Sequence, residues 1–445
     1  MKMKLACLSV ALITTLFAAL AQAQPDNKWA AAWVGAIQGP YPVGNPSAQP
    51  DLSLAFPAPD QGAQDQTFRL MVRPDIWAGQ TRIRLSNELG TRPITFDGVY
   101  VGLQQGSSAV MKGTNQAVSF AGKPSIEIPA GTSVWSDPVT LPFAQGKDLS
   151  LLQGRRLAVS FHVKGQSGPM TWHAKALNTS YVSRPGAGSV GQSEEENAFP
   201  FSTTSTYFLD AVDMMAPKDT KVVVAFGDSI TDGTGTTLNG DDRWPDVLAR
   251  KLHAVYGDRV SVVNAGIGGN QIAGPASYSP QAPFAGGPSA RMRVERDVIG
   301  VSGVTTVIWL EGINDLSKNG NASVDSVKTA MTEVLGKIRS QRPEVRVIGA
   351  TVTTALGSTS AAHGHAEQNT KREELNAFIR TSGLFDDVVD FAAATIDPAT
   401  GGMRREFVAD STVGGPGDKL HPNRAGYQAM AEKIDISRLF KPELK

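Results

Sequence analysis

From residue 221 onward, short apolar stretches alternate regularly with segments of helical periodicity. The strands are predicted at 221–226, 260–264, 304–310, 345–351 and 387–391. The helices between and after them are predicted at 243–256, 289–299, 323–341, 367–380 and 423–434. Strands that alternate with helices favour a parallel sheet covered by helices on both faces. The second half of the chain is therefore predicted to be an α/β domain.

The first of these strands ends abruptly in Gly227-Asp228-Ser229. In open α/β folds, the loops at the carboxyl ends of parallel strands carry the active site. Such a loop would present the Ser229 hydroxyl, and the loops after the next two strands contain Gly268-Gly269 and Asn314. Backbone N–H groups at Ser229 and Gly269, with the Asn314 side-chain amide, are suitable donors to the oxyanion of an acyl-transfer intermediate.

A serine hydroxyl is a weak nucleophile and needs a base, for which His421 is the candidate. Asp418 lies three residues earlier, a spacing that lets its carboxylate reach one ring nitrogen of His421 while the serine reaches the other. These residues predict a catalytic set of Ser229, Asp418 and His421. Asp228, Asp232 and Asp315 are interpreted as loop or cap hydrogen bonders, and Asp315 is expected to brace its own loop.

Four sequence blocks resemble those of the GDSL, or SGNH, hydrolases, and they come in the order and at separations similar to that family's. They are Gly-Asp-Ser-Ile at 227–230, Asn-Ala-Gly-Ile-Gly-Gly-Asn at 264–270, Gly-Ile-Asn-Asp at 312–315 and Asp-Lys-Leu-His-Pro at 418–422. The resemblance covers about residues 220–440. It implies a flavodoxin-like three-layer α/β/α domain and a serine esterase, with the nucleophile at Ser229, the acid and base at Asp418 and His421, and oxyanion donors at Gly269 (Gly268 being the alternative register) and Asn314.

The part of the chain before this domain has the alternating pattern of β-strands. Apolar and polar residues alternate near 67–73, 82–85 and 157–163, and further β-prone runs at 29–34, 98–103, 117–120, 125–128 and 132–141 are separated by turn residues. Several short strands at such spacing favour an antiparallel β-sandwich. We therefore expect a β-rich domain over residues 24–216 and the hydrolase domain over 217–445.

Several residues of the first half allow two interpretations. The arginines at 69, 73, 82 and 84 indicate either a basic face for an anionic or sugar ligand, or a strand face that is solvated or lies at a domain interface. His162 and His173 are interpreted as packed or hydrogen-bonded residues, and His253 as a structural helix residue. His363 and His365 form a metal-like pair, but no spaced Asp, Glu or Cys set completes a site, so a polar loop is expected.

The first residues have the pattern of a signal peptide. Lys2 and Lys4 precede an apolar run at 5–20 and an Ala21-Gln22-Ala23 cleavage site. We expect residues 1–23 to be removed near Ala23 and the protein to be secreted or periplasmic. Cys7 is the single cysteine and would leave with this segment, so no disulfide and no thiol nucleophile are expected in the mature protein.

The expected reaction is hydrolysis of carboxylic esters by a serine esterase that needs no cofactor and no metal. A β-rich domain before such a hydrolase resembles secreted carbohydrate acetylesterases, such as those acting on acetylated xylan. The alternatives are a lipolytic esterase or lysophospholipase, and, from another class, a non-catalytic carbohydrate-binding protein. The formal net charge of zero gives no indication of a nucleic-acid partner. The expected partner is a small-molecule or polysaccharide ester, without stable membrane insertion, and the oligomeric state stays open.

Overall fold

The computed structural model describes residues 26–146 and 148–440. The predicted signal peptide, with Cys7, lies outside the described residues. Within those residues, no helix has the length and apolar character needed to cross a membrane.

The N-terminal region, residues 26–217, consists mainly of antiparallel strands and has no α-helix among its described residues. Its strands are β1 (Asn27–Val34), β2 (Gly39–Pro40), β3 (Gln64–Val72), β4 (Gln80–Ser86), β5 (Ile94–Gly106), β6 (Ala109–Val110), β7 (Gln116–Ala117), β8 (Ile126–Ile128), β9 (Ser133–Trp135), β10 (Val139–Thr140), β11 (Leu157–Gln166), β12 (Thr171–His173), β13 (Ser180–Val182), β14 (Phe201–Thr203), β15 (Thr206–Tyr207) and β16 (Leu209–Pro217).

These strands form three sheets in the described residues. The first has the order β1-β16-β4-β10, with β9 also on β4. The second has the order β14-β13-β3-β11-β5-β6, with β7 and β8 on β5, and the third is β15-β12-β2. The predicted strand at 132–141 is two strands, β9 and β10, which both run antiparallel to β4. The ladder is interrupted at Ser136-Asp137-Pro138, where proline cannot donate to it.

The C-terminal region, residues 221–440, contains one parallel sheet in its described part. Its strands are β17 (Lys221–Gly227), β18 (Val260–Gly266), β19 (Val304–Leu310), β20 (Arg346–Ala350) and β21 (Asp387–Val389). They lie in the order β18-β17-β19-β20-β21, and every neighbouring pair is parallel. Since β17 lies between β18 and β19, the loops that follow these three strands meet at one edge of the sheet.

The helices of this region are α1 (Ser229–Asp232), α2 (Trp244–Tyr256), α3 (Ala290–Val294), which continues as a π-helix over Glu295–Ile299, α4 (Val324–Gln341), α5 (Ala366–Thr381), α6 (Phe391–Thr395) and α7 (Arg424–Glu432). α2 and α6 pack against α7, whereas α4 packs against α3 and α5. Right-handed crossovers place these two groups on opposite faces of the sheet. The prediction of strands alternating with helices is confirmed.

One predicted strand is shorter than expected. The strand predicted at 387–391 ends at Val389, because the Asp390 side chain accepts a hydrogen bond from the N–H of Ala393 and caps α6, which begins at Phe391. Apolar residues continue through Phe391-Ala392-Ala393, so the hydrophobic pattern alone did not mark this change from strand to helix.

Of the arginines noted in the sequence of the N-terminal region, Arg73 and Arg82 form ion pairs and, among the described residues, Arg69 does not. Arg73 pairs with Asp246 of α2 at 3.0 Å, and Arg82 pairs with Asp213 at 2.8 Å and also contacts Ser302. Arg69 is fully buried and donates to backbone carbonyls within its own region. The interpretation of this strand face as part of an interface between the two regions is therefore confirmed for Arg73 and Arg82.

The two regions share one hydrophobic core. Buried side chains from β1, β16 and β17 belong to the same continuous cluster, and β1 packs directly on β18. The Asp75 carboxylate also crosses the interface, because it accepts from the N–H of Val262 at 2.6 Å and lies 3.1 Å from His253 Nε2. The two regions are thus joined by apolar packing and by buried polar contacts.

Beneath the edge where the loops meet, the buried guanidinium of Arg293 ties two strand ends together. It donates to the carbonyls of Gly227 and Ala265, both at 2.8 Å, and to Asn270 Oδ1 at 2.7 Å. It also pairs with Asp297 at 3.0 Å and lies over the Phe226 ring. One side chain therefore fixes the position of the loop after β17 relative to the loop after β18.

The Arg293→Met variant tests this role. Removing a buried, hydrogen-bonded charge leaves its acceptors without a donor, and we expect the free energy of unfolding to fall by about 3–5 kcal/mol. Chemical denaturation measures the change. The control is Arg291→Met on the same helix, since Arg291 forms a half-exposed pair with Glu333 and should change stability by less than about 1 kcal/mol. Equal losses in the two variants would contradict the assigned role.

Candidate active site

Ser229 is the first residue of α1 and follows directly after β17. The Asp228 side chain caps this short helix by accepting from the N–H of Ile230 at 2.9 Å, which confirms its interpretation as a cap. Gly227 ends the strand where its Cα faces the carbonyl of Leu310, and an added Cβ would lie 2.2 Å from that oxygen. Glycine is therefore required there for β17 to pack against β19 just before the serine.

The structure brings Ser229, His421 and Asp418 into contact across 192 residues of sequence. Ser229 Oγ lies 2.8 Å from His421 Nε2, and His421 Nδ1 lies 2.5 Å from Asp418 Oδ2. The other carboxylate oxygen, Asp418 Oδ1, accepts from the backbone N–H groups of Leu420 and His421. The predicted Ser, His and Asp residues thus form one connected relay.

The charge of Asp418 determines which nitrogen of His421 carries the proton. Burial raises the pKa of Asp418, but hydrogen bonds from the His421 ring and from two backbone N–H groups lower it more, so the net pKa lies well below its ordinary value. An ionised carboxylate only accepts, so Nδ1 donates to Asp418 and Nε2 is left to accept from the Ser229 hydroxyl. This arrangement can remove the serine proton.

The residues predicted as oxyanion donors lie on the three loops that meet at the sheet edge. Asn314 follows β19 and is 8% exposed. Its side-chain amide donates one hydrogen to the Asn270 carbonyl at 3.0 Å, so its second hydrogen can bind an oxyanion. Gly268 and Gly269 follow β18. The N–H of Gly268 donates to Asp232 Oδ2 at 2.9 Å, so of the two glycine registers the N–H of Gly269 is the better candidate.

Asp315 also supports the loop next to its own. It accepts from the N–H groups of Ile272 and Ala273, which belong to the loop after β18, so its role extends beyond the expected bracing of its own loop. This wider role has a physical reason, since parallel neighbours place their carboxyl-terminal loops side by side.

His363 and His365 each have a hydrogen-bond partner within the protein. His363 Nδ1 accepts from Gln368 Nε2 at 2.9 Å, and His365 Nε2 donates to the Ala361 carbonyl at 3.3 Å. Burial and the neighbouring His421 lower the pKa of His363 to about 4, so it is neutral near pH 7. Across residues 26–146 and 148–440, no group of three or more His, Cys, Asp or Glu side chains is placed to hold a metal ion.

Sequence reasoning missed the side chains that the N-terminal region contributes to this site. Gln38 and Asn45 donate to the Gly268 carbonyl, and Lys175 is buried with its ammonium group bonded to Thr234. Burial lowers the pKa of Lys175, and the carboxylates of Asp232 and Asp418 partly oppose that shift. Because these residues lie far away in sequence, in stretches without a motif, no local signal marked them.

Three carboxyl groups are buried under the loops, and two of them, Glu311 and Asp228, interact with the charge of Arg293. Burial raises the pKa of Glu311 to about 8, of Asp228 to about 7 and of Asp315 to about 6. Glu311 Oε2 accepts from Trp309 Nε1 at 2.8 Å, and Glu311 Oε1 lies 3.9 Å from Arg293. Burial favours the protonated form of Glu311 and Asp228 more than the charge of Arg293 favours the ionised form.

Comparison with known proteins agrees with this geometry. Residues 225–429 match the model of the GDSL-like lipase/acylhydrolase family. This part of the chain belongs to that family. The resemblance inferred from the four sequence blocks is confirmed, and the protein is a serine ester hydrolase.

Solved structures with a likeness to the chain include two esterases and a lipase/acylhydrolase. A carbohydrate acetylesterase from Sinorhizobium meliloti is 14% identical with a TM-score of 0.35, covering 47% of this chain and 94% of its own. The M. smegmatis aryl esterase is 15% identical with a TM-score of 0.36, covering 48% and 95%. A lipase/acylhydrolase from Enterococcus faecalis is 22% identical with a TM-score of 0.36, covering 51% and 100%. A comparison with curated proteins finds no match.

The buried Glu311 predicts a pH dependence of stability. Between its ordinary pKa of 4.5 and about 8, the unfolded chain loses the Glu311 proton while the folded chain keeps it. The contribution of Glu311 to the free energy of unfolding therefore decreases as pH rises through this range.

We expect the stability of the wild type relative to Glu311→Gln to fall between about pH 5 and pH 8, as measured by urea denaturation. In the control variant, Glu333→Gln at the surface, no such trend is expected. A constant difference between wild type and Glu311→Gln would contradict the assignment.

Proposed function

We propose that the protein is an exported serine esterase that hydrolyses carboxylic esters through an acyl-enzyme on Ser229. The observation that carries the proposal is the relay in which Ser229 Oγ lies 2.8 Å from His421 Nε2 and His421 Nδ1 lies 2.5 Å from Asp418. Membership of residues 225–429 in the GDSL-like lipase/acylhydrolase family supports it. In this proposal Ser229 is the nucleophile, His421 the general base and Asp418 its partner.

The first half of the reaction forms the acyl-enzyme. His421 Nε2 takes the Ser229 proton as Oγ bonds to the ester carbonyl carbon, and the carbonyl oxygen becomes an oxyanion. His421 then gives that proton to the alcohol oxygen as the carbon–oxygen bond to the alcohol breaks. A water molecule enters, gives a proton to His421 and attacks the acyl carbon. The proton returns to Ser229 Oγ as the acid leaves.

The oxyanion would lie among the N–H of Ser229, the N–H of Gly269 and the Asn314 amide. Three loops at the carboxyl ends of β17, β18 and β19 supply these groups. The use of the Gly268 N–H by Asp232 supports Gly269 as the glycine donor. Donors held in place before the reaction stabilise the developing charge without the cost of reorganising solvent.

The proposed organisation is a signal peptide over residues 1–23, a β-sandwich-like domain over 24–216 and a flavodoxin-like hydrolase domain over 217–445. The strand order β18-β17-β19-β20-β21, which is 2-1-3-4-5 within the domain, supports the flavodoxin-like assignment. Extended antiparallel sheets in the first region support a sandwich-like arrangement. The basic and apolar pattern before Ala23 supports export to the periplasm or the medium.

The proposed natural substrate is an acetylated carbohydrate such as acetylated xylan. A cavity of about 240 Å³ borders His421 and Asp418. Its lining includes Thr234, Asp410 and the glycines at 235, 415 and 417. Small and polar walls are suited to a hydroxyl-rich alcohol, which needs hydrogen-bond partners as it is desolvated.

A second candidate is a lipolytic esterase or lysophospholipase. Val413 borders the same cavity with 68% of its surface exposed, and Pro416 lies near it. An exposed apolar side chain at the rim of a pocket would favour an acyl chain or a lipid surface.

The Ser229→Ala variant tests the nucleophile. Without the hydroxyl no acyl-enzyme forms, and we expect kcat on p-nitrophenyl acetate to fall by about 10⁴- to 10⁶-fold. A fluorophosphonate should label the wild type once per chain and should not label the variant. The control is Ser411→Ala, because Ser411 lies on the loop before His421 and its hydroxyl accepts from the N–H of Arg424. Full activity of Ser229→Ala would exclude the proposed mechanism, and a wild type that does not react with the fluorophosphonate would favour a non-catalytic binding protein.

The substrate class is tested by direct competition between ester types. We expect kcat/KM for acetate release from acetylated xylan to be at least about tenfold higher than kcat/KM for p-nitrophenyl esters whose acyl chain has eight or more carbons. Acetate is measured enzymatically and p-nitrophenol by absorbance. A preference for long-chain esters or lysophospholipid would instead support the lipolytic alternative.

A further inference from the structure

The peptide group between Gly268 and Gly269 is held by side chains of the N-terminal region. Its carbonyl accepts from Gln38 Nε2 at 3.1 Å and from Asn45 Nδ2 at 2.9 Å. Gln38 is fully buried, whereas Asn45 lies exposed at the rim. The two donors are 230 and 223 residues away in sequence, so these bonds exist only because the two regions pack together.

The carbonyl of Gly268 and the N–H of Gly269 belong to the same peptide group. A trans peptide is planar, and its C=O and N–H point in opposite directions. Fixing the carbonyl therefore fixes the direction of the N–H. Hydrogen bonds accepted by the carbonyl also polarise the peptide group and strengthen its N–H as a donor, by roughly 10–30% per bond. Both effects act on the group proposed to bind the oxyanion.

The N-terminal region also holds the N–H of Gly268, through the carboxylate of Asp232. Asp232 Oδ2 accepts from the N–H of Gly268 at 2.9 Å, and Asp232 Oδ1 lies 3.1 Å from His173 Nε2. The other neighbours of His173 are the carbonyls of Ala36 and Lys175, so both ring nitrogens donate. Burial lowers the pKa of His173, but Asp232 and the carbonyl acceptors raise it more, which favours the charged ring.

Gln38 also holds the far end of the same loop, just before α3. Its Nε2 donates to the Ala285 carbonyl at 2.6 Å, and its Oε1 accepts from the N–H of Ala174. Gly286 packs so closely on Gly269 that an added Cβ would lie 2.2 Å from the Gly269 oxygen. Gln38 therefore joins the two ends of the loop between β18 and α3 to the residue that follows β12, and both of its amide hydrogens are used within the protein.

We propose that Gln38, assisted by Asn45, is a positioning residue that orients and polarises the Gly269 N–H toward the oxyanion. The N-terminal region thereby completes the active site without contributing a residue that touches the reacting atoms. This inference rests on the proposed function, since it assigns the Gly269 N–H to the oxyanion formed by attack of Ser229.

The test compares Gln38→Met with Gln66→Met. Gln66 is a matched control, because it is also fully buried and its Nε2 also donates to two carbonyls, those of Ala55 and Ser183, both at 3.0 Å and within the N-terminal region. Methionine keeps the length of the side chain and removes the donors. Both variants should lose stability, so kinetics are measured well below both unfolding midpoints.

For Gln38→Met we expect kcat on p-nitrophenyl acetate to fall by about 10- to 100-fold, less than the full loss of an oxyanion donor, with KM changed by less than about threefold. Binding of a trifluoromethyl ketone, which forms a tetrahedral oxyanion on the serine, should weaken in parallel. For Gln66→Met, kcat and inhibitor binding should stay within about twofold of the wild type.

The outcomes separate this inference from the proposed function. If Ser229→Ala is inactive and Gln38→Met matches Gln66→Met in kcat and inhibitor binding, the positioning role is excluded and the esterase mechanism stands. A loss in Gln38→Met that appears in KM alone would also exclude it. If Ser229→Ala is fully active, both proposals fail together.

Discussion

The relative position of the loops after β17 and β18 depends on the buried guanidinium of Arg293. β17, β18 and β19 each contribute one loop to the site, and the sheet alone fixes only where those loops start. Arg293 bonds the carbonyls of Gly227 and Ala265 and the side chain of Asn270 together. A fixed fork of several donors can satisfy acceptors on separate strands at once, as a lysine ammonium on a flexible stem would not. The cation is also the counter-charge for a group of buried acids, so the geometry of the loops and their electrostatics have one common support.

Most of the α/β domain could be predicted from sequence because its signals are local. Each strand is a short apolar run, each helix has a periodic apolar face, and the residues that surround the serine follow directly after strands. The contact between Ser229 and His421 could be predicted because parallel topology brings loops of distant sequence to one edge. The length of the strand at 387 was predicted less well, since apolar residues continue into α6 and only the cap at Asp390 marks the boundary.

The contribution of the N-terminal region could not be predicted in the same way. Gln38 and Asn45 lie in a stretch rich in glycine, proline, alanine and glutamine, where no periodicity or motif assigns them a partner. Their acceptor is a backbone carbonyl, and because every residue has one, the sequence does not indicate which residue accepts. The interpretation of His173 as a hydrogen-bonded residue is confirmed. Its carboxylate partner, Asp232, belongs to the C-terminal region, so the sequence around His173 gave no sign of it. Contacts of this kind depend on how two regions pack, which the sequence does not encode locally.

The shared core and these polar contacts argue against a loosely tethered accessory module. A separable domain buries its own core and meets its neighbour through a modest, polar interface. Here apolar side chains of both regions form one cluster, and buried polar groups cross it in both directions, including Asp75 to Val262 and Gln38 to Gly268. Removing the N-terminal region would expose apolar surface of β17 and β18 and leave the Gly268 carbonyl to water. Any replacement for the first region would have to restore both the packing against β17 and β18 and the donors to the Gly268–Gly269 peptide.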